Sequence, residues 1–420
     1  MDDSATATCS RAVATASGQV PGEVAAADGS AMSSRRPQEE ALLDKFRGCL
    51  VAGAAGDALG YPVEFMSAAQ IRAVHGPDGM RDLPRDPQTG LALVSDDTQM
   101  TLFTAAGILV GATRHRLYGV AASPDYYAWR SYLDWLHTQE PEGPAGPHES
   151  WLADVEALRD RRAPGRTCLA ELEYGRAGSV DEPLNDSKGC GGVMRVAPVG
   201  LLFGAERDGW VDGAGALDDV ALLAADVAAV THGNPLGYIP AAAAAYLVHR
   251  CAYEVGSREG DRQARLMRMV DECCERLSVW FPRQASATQA VSDLLRQAMG
   301  LAGKDVPDEE AVCELGEGWV AEETLAIAVC ACLRHADDVP AALAAAVDHD
   351  GDSDSCGAVA GNIMGAMHGM SGIDPAWLQG LELEDVTIAI ADDLVDVATG
   401  RWDVATTERL AARYPGGPEA

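Results

Sequence analysis

CGAVAGNIMGAMHG, residues 356–369, sets glycine at every fourth position: Gly357, Gly361, Gly365 and Gly369. On a helix that spacing draws a single stripe. Each glycine costs about 1 kcal/mol relative to alanine in a helix interior, so the stripe gives up roughly 3 to 4 kcal/mol. Such a loss is sustained only where another backbone lies against the stripe. FRGCLVAGAAGDALG, residues 46–60, carries a matching run of Gly48, Ala52, Gly56 and Gly60. The two stripes are expected to face one another, or a shared third helix, near the active site. Close packing in a soluble core accounts for them better than a membrane dimer motif does.

Outward from these two segments the same helical periodicity returns repeatedly. It predicts helices over 39–60, 98–110, 126–136, 216–230, 240–253, 263–280, 286–299, 322–333, 340–347 and 356–369. Strand-like alternation is nowhere sustained. Segments 76–90 and 140–147 are rich in Gly, Pro and Asp and read as surface connections. The expected architecture is all-α, a single compact many-helix domain over 39–414, with a disordered tail at 1–38 and a short tail at 415–420. The first tail has few large apolar groups, too little to offset the entropy of ordering it.

Composition agrees with backbone-close packing: 47% of the 420 residues are hydrophobic but only 5% are aromatic. The 64 acidic residues against 32 Lys and Arg give a net charge of −32, which repels phosphate backbones and argues against nonspecific nucleic-acid binding. An anionic ligand needs its own positive charge in the site, and a divalent cation can supply it. The 11 cysteines have no zinc-finger or CxxC spacing and read as buried hydrophobes in a reducing cytoplasm. No signal-peptide pattern or apolar run of membrane-spanning length is found. A soluble monomer is expected.

Two acidic clusters precede apolar helical runs: Ser95, Asp96, Asp97 and Thr98, and Asp352, Ser353, Asp354 and Ser355. Helix capping would explain either one alone. Together they supply more oxygen ligands than capping uses, and oxygen-only ligation suits Mg²⁺ or Mn²⁺. Two such ions could be neutralised by four converging carboxylates. Glu64, among Tyr61, Pro62, Val63 and Phe65, is either a surface glutamate or a general acid or base whose apolar neighbours raise its pKa. In SKGCGGVMR, Ser187, Lys188, Gly189, Cys190, Gly191 and Gly192 form either a phosphate-binding nest or a tight turn before a helix. His232, after Thr231, reads as a structural hydrogen-bonding residue or a catalytic one.

In this order, GDALG with Glu64, SDDT, SKGCGGVMR, the Thr231-His232 pair and GDSDS resemble the ADP-ribosylglycohydrolase family over nearly the whole helical region. The resemblance implies an all-α fold with a dinuclear Mg²⁺ cleft, Mn²⁺ being an alternative, that contacts the ribose hydroxyls of the substrate. Ser95, Asp96, Asp97, Asp352, Asp354 and Ser355 look like the metal ligands, Asp354 bridging. Glu64, Asp97 and Asp354 look like the catalytic set. The 187–192 loop and His232 resemble the pyrophosphate and ribose contacts. Serine replaces the usual threonine at Ser95, Ser353 and Ser355, and Lys188 stands where some relatives place an aromatic that packs on adenine, so that it could instead offer charge to the phosphates. The implied reaction is hydrolysis of ADP-ribosyl-arginine on a protein or a small conjugate. Serine-linked or nucleobase-linked substrates, a two-metal phosphohydrolase and a non-catalytic crystallin-like relative are the alternatives.

Overall fold

The computed structural model describes residues 36–120, 122–140, 147–202, 217–254 and 262–417. Seventeen α-helices occur among them. In chain order the first nine are α1 (Pro37–Gly60), α2 (Ala68–His75), α3 (Asp96–Tyr118), α4 (Pro124–Thr138), α5 (Arg166–Glu173), α6 (Ala197–Leu202), α7 (Leu217–Ala229), α8 (Pro235–Tyr253) and α9 (Arg262–Trp280). The rest are α10 (Ala285–Ala302), α11 (Asp308–Cys313), α12 (Ala321–Arg334), α13 (Val339–Val347), α14 (Ser353–His368), α15 (Pro375–Leu378), α16 (Glu384–Ala398) and α17 (Val404–Arg413). Pairing of the β type is limited, among the described residues, to two isolated bridges, Ala92 with Leu381 and Gly189 with Val320.

α1 and α14 lie antiparallel with their backbones in direct contact. A Cβ on Gly361 would sit 2.0 Å from the Ala52 carbonyl oxygen, and one on Gly365 would sit 2.0 Å from that of Gly48. A Cβ on Gly56 would meet the Gly357 carbonyl oxygen at 2.0 Å, and one on Gly60 the Asp354 nitrogen at 2.5 Å. The two stripes therefore face each other, as their spacing implied. Asn362 Nδ2 donates to the Cys49 carbonyl oxygen at 3.0 Å inside the contact, filling the gap that Gly53 leaves. α8, α12, α13 and α16 pack around this pair, and their apolar side chains join one continuous core.

The ten helices expected from periodicity are all present, most of them a residue or more longer. α1 begins at Pro37, a residue suited to the first helical turn. Two residues of the expected 1–38 tail thus belong to the helix, while 1–35 fall outside the described residues. So do 141–146, within the expected 140–147 connection, 216, the first residue of the helix expected over 216–230, and 418–420. α8 begins five residues before its expected start, at Pro235 behind the Asn234 cap, and keeps Pro240 inside it. α16, EDVTIAIADDLVDVA, went unexpected because its Val, Ile and Thr residues weaken the helical signal.

Gly361→Ala should lower stability by several kcal/mol, since neither backbone can move without the other. Gly300→Ala, where a Cβ meets nothing within 4 Å, should be neutral or raise it by up to about 1 kcal/mol. Denaturant melts of the two variants measure the difference; equal effects would mean that the α1–α14 contact is slack.

Candidate active site

The antiparallel register sets the N-terminus of α14 beside the C-terminal end of α1. Asp352 caps α14, its side chain accepting from Ser355 N, and Asp354 stands in the first turn. At α3 the Ser95 hydroxyl accepts from Asp97 N at 3.1 Å, with Asp96 and Asp97 in the first turn. Asp57 of α1 joins the two ends. Its carboxylate accepts from Ser95 N at 3.0 Å, from Thr98 N at 3.1 Å and from the Thr98 hydroxyl. Two positive helix ends are thereby aimed at one cluster of acids.

All five aspartates are buried. Burial, and then the Asp354 charge, pushes Asp57 up to about 7. Burial holds Asp96 and Asp97 well above the usual carboxylate range; Gly165 N, donating to Asp96 Oδ2 at 2.9 Å, opposes this at Asp96, while Asp354 and Asp57 add to it at Asp97. Asp352 is raised by burial and by Asp354, and Asp354 by burial. Half-buried Glu64 is pushed to about 9, by burial first and then by Asp354 and Asp96. Glu64 follows α1 through a 3₁₀ turn, Tyr61–Val63.

Glu64, Asp96, Asp97, Asp352, Asp354 and Ser355 line a cleft of about 350 Å³. Gly189, Cys190, Gly191 and His232 form another wall. Ser95 lies beneath the floor, wholly buried. Cys190 Sγ donates to Asp352 Oδ2 at 2.8 Å, tying the glycine-rich loop to the acids. Ser187, Lys188 and Gly192 do not line the cleft. The Lys188 ammonium pairs with Glu322.

Sequence reasoning missed three parts. Residues 316–320 buttress the loop: Cys190 N donates to the Trp319 carbonyl oxygen, Ala321 N to that of Lys188, and Asp352 N to that of Glu317. Gly318, at φ +81, was the signal available for that turn. Arg166, at the start of α5, is the one arginine or lysine among the described cleft residues. Phe65 is 72% exposed, holds φ +67, and stacks on Trp319 at a centroid distance of 5.2 Å. A non-glycine residue held in that region costs of order 1 kcal/mol or more.

The ADP-ribosylglycohydrolase family profile matches residues 38–403. The chain belongs to that family. It is 26% identical over 372 residues to human ADP-ribosylhydrolase ARH3, covering 84% of this chain and 93% of that protein. An uncharacterized Archaeoglobus fulgidus protein is 26% identical (84% and 97% covered), and Escherichia coli YegU, also uncharacterized, is 27% identical (79% and 90%). A solved ADP-ribosylglycohydrolase-related protein complex superposes with a TM-score of 0.54 at 23% identity, over 86% of this chain and 99% of that one, which shows the shared fold. As an ADP-ribosylglycohydrolase the protein is a glycosidic-bond hydrolase acting on ADP-ribosylated substrates.

Metal dependence is general in this family. Among the described residues no group of three or more His, Cys, Asp and Glu side chains is drawn together as a finished ligand shell. The donors nevertheless fit a hard cation, being carboxylate and hydroxyl oxygens. Asp97 Oδ2 is buried with no hydrogen-bond partner. A buried carboxylate oxygen without a partner is costly unless a cation meets it.

Asp57→Ala should destabilise the protein by about 2 kcal/mol, because Ser95 N and Thr98 N lose a buried charged acceptor. Thermal melts check this. An unchanged midpoint would mean that α3 is capped without Asp57.

Proposed function

We propose that the protein hydrolyses, with Mg²⁺, the bond between the anomeric carbon of ADP-ribose and a guanidinium nitrogen of arginine in a protein or small conjugate, so reversing the modification. The observation that carries this reading is the buried Asp57, Asp96, Asp97, Asp352 and Asp354 cluster with an unpartnered Asp97 oxygen, beside half-buried Glu64. Ser95, Asp96, Asp97, Asp352, Asp354 and Ser355 would hold two ions, with Mn²⁺ as a substitute and Asp354 as the shared ligand. When bound, those ions supply positive charge and orient the ribose hydroxyls.

In this reading Glu64 carries the proton. The C–N bond breaks with its electron pair left on nitrogen, a water oxygen bonds to the anomeric carbon, and one water proton passes to the leaving group by way of the Glu64 carboxyl. Asp97 and Asp354 fix the sugar against it. Arg166, the glycines at 189 and 191, and His232 would meet the pyrophosphate and ribose. Beyond Glu64 and Phe65 the cleft adjoins a second cavity of about 470 Å³, lined also by Tyr61, Pro62, Pro84, Pro87 and Leu93. We assign the acceptor to it, since a flat guanidinium stacks on aromatic faces. We place the enzyme in the cytoplasm as a monomer, a reducing setting in which ten free cysteines would stay free.

The direct test offers purified enzyme and Mg²⁺ arginine-, serine- and guanine-linked ADP-ribose. Free ADP-ribose released from the arginine conjugate, and lost with chelator, is the expected result. Preference for another linkage replaces the acceptor; phosphate release, or turnover in excess chelator, overturns the reaction. Glu64→Gln should lower kcat by about 10²- to 10⁴-fold while keeping the Mg²⁺-dependent thermal shift. Near-normal turnover would return Glu64 to the surface. Wild type should gain about 2.7 kcal/mol at a hundredfold excess of Mg²⁺ over Kd, and Asp354→Asn should lose most of that gain together with hydrolysis. Paired melting curves read both; an undiminished shift would make Asp354 a helix cap alone.

A further inference from the structure

Arg195 follows the glycine-rich loop and is wholly buried. Its guanidinium lies over the Tyr132 ring, with Cζ 4.3 Å from the centroid. Nη2 donates to the Val227 carbonyl oxygen at 3.2 Å and to Thr231 Oγ1 at 2.8 Å, while Nη1 reaches the Met100 and Cys168 sulfurs at 3.6 Å. Among the described residues no carboxylate pairs with it. A permanent charge held on neutral partners is expensive, and three of its four contacts are to carbonyl or sulfur atoms that need no cation. Of these, Cys168 lines the cleft itself, and the fourth contact, Thr231, leads to it through His232.

Thr231 Oγ1 stands 2.8 Å from His232 Nδ1. A guanidinium only donates, so Thr231 Oγ1 accepts from Arg195 and its own hydrogen points elsewhere. Two acceptors are in reach, His232 Nδ1 and the Cys168 sulfur, and the ring nitrogen is much the stronger. Nδ1 then accepts, and the ring proton resides on Nε2. That nitrogen faces the glycine-rich loop: a Cβ on Gly189 or Gly191 would lie 3.3 or 3.2 Å from it. His232 also lines the cleft. Burial, then the Arg195 charge, lowers its pKa to about 3, so the ring is neutral.

We propose that Arg195 and Thr231 are positioning residues that hold His232 as its Nε2–H tautomer, so that the ring offers a hydrogen-bond donor to a phosphate oxygen of the ligand. The second half rests on the proposed reading of the cleft as an ADP-ribose site; the tautomer does not. A neutral donor backed by a buried cation binds an anion without placing an exchangeable charge next to the acids.

Nitrogen-15 labelling of the nine histidines reads the tautomer directly, and His232→Gln identifies the His232 signals. Wild type should show an unprotonated Nδ1 and a protonated Nε2 between about pH 5 and 8. Thr231→Val keeps the volume but removes the hydroxyl; it should lose that signature and raise the Kd for ADP-ribose, measured with Mg²⁺, about tenfold. Thr231→Ser should restore both. A protonated Nδ1 in wild type overturns the relay whatever the protein binds. A Thr231→Val protein with wild-type signature and affinity overturns it as well. A correct tautomer in a wild type that does not bind ADP-ribose overturns the ligand instead.

Discussion

The backbone-to-backbone contact between α1 and α14 is the constraint from which the site follows. Where side chains intervene, two helices can slide or roll by small adjustments of rotamers. Here glycine and alanine leave carbonyl oxygens as the contact surface, and a shift along the axis drives Cα atoms into them. The register therefore locates Asp352 and Asp354 relative to Asp57 and Glu64 through main-chain atoms alone. The glycines give up helical stability, and the close approach returns a site whose acids do not drift apart under their own repulsion.

The same chain contains a buried aspartate with a structural role, and the contrast is informative. Asp393 of α16, also wholly buried, accepts from Arg409 at 2.9 Å, from Arg413 at 2.7 Å and from the Tyr414 hydroxyl at 2.7 Å. Its charge is met on every side. Among the described residues, the aspartates of the site receive backbone N–H groups, hydroxyls and the Cys190 thiol but no guanidinium or ammonium, and Asp97 Oδ2 receives nothing. A fold that can surround a carboxylate with arginine has left these short of positive charge, and a ligand cation is the economical explanation.

The stripes and the acid clusters were legible because both are local: a period of four residues is a property of the helix, and a cap is a property of its first turn. The loop partners were not. Gly189 meets Val320 across an isolated bridge, and Asp352 N meets the Glu317 carbonyl, over separations that no periodicity encodes. Lys188 illustrates the limit. Its ammonium meets Glu322, 134 residues on, a partner that no local pattern encodes. Asp57 was visible as a member of GDALG, but its role as the joint between α1 and α3 needed the fold.

The charge problem posed by an acidic chain and an anionic ligand is resolved by arrangement more than by composition. Arg166 at the cleft wall supplies a charge near solvent, where salt screens it. Arg195 supplies one from the interior, where screening is weak and the charge acts through Thr231 and His232. That second cation is held on Val227, Thr231, Met100, Cys168 and the Tyr132 ring and so does not pair with Asp96 or Asp97, which would satisfy the carboxylates and remove their demand for metal. Acids and guanidinium share one buried neighbourhood, in which Arg195 meets Met100 of α3 and Cys168, and Cys168 lines the cleft with Asp96.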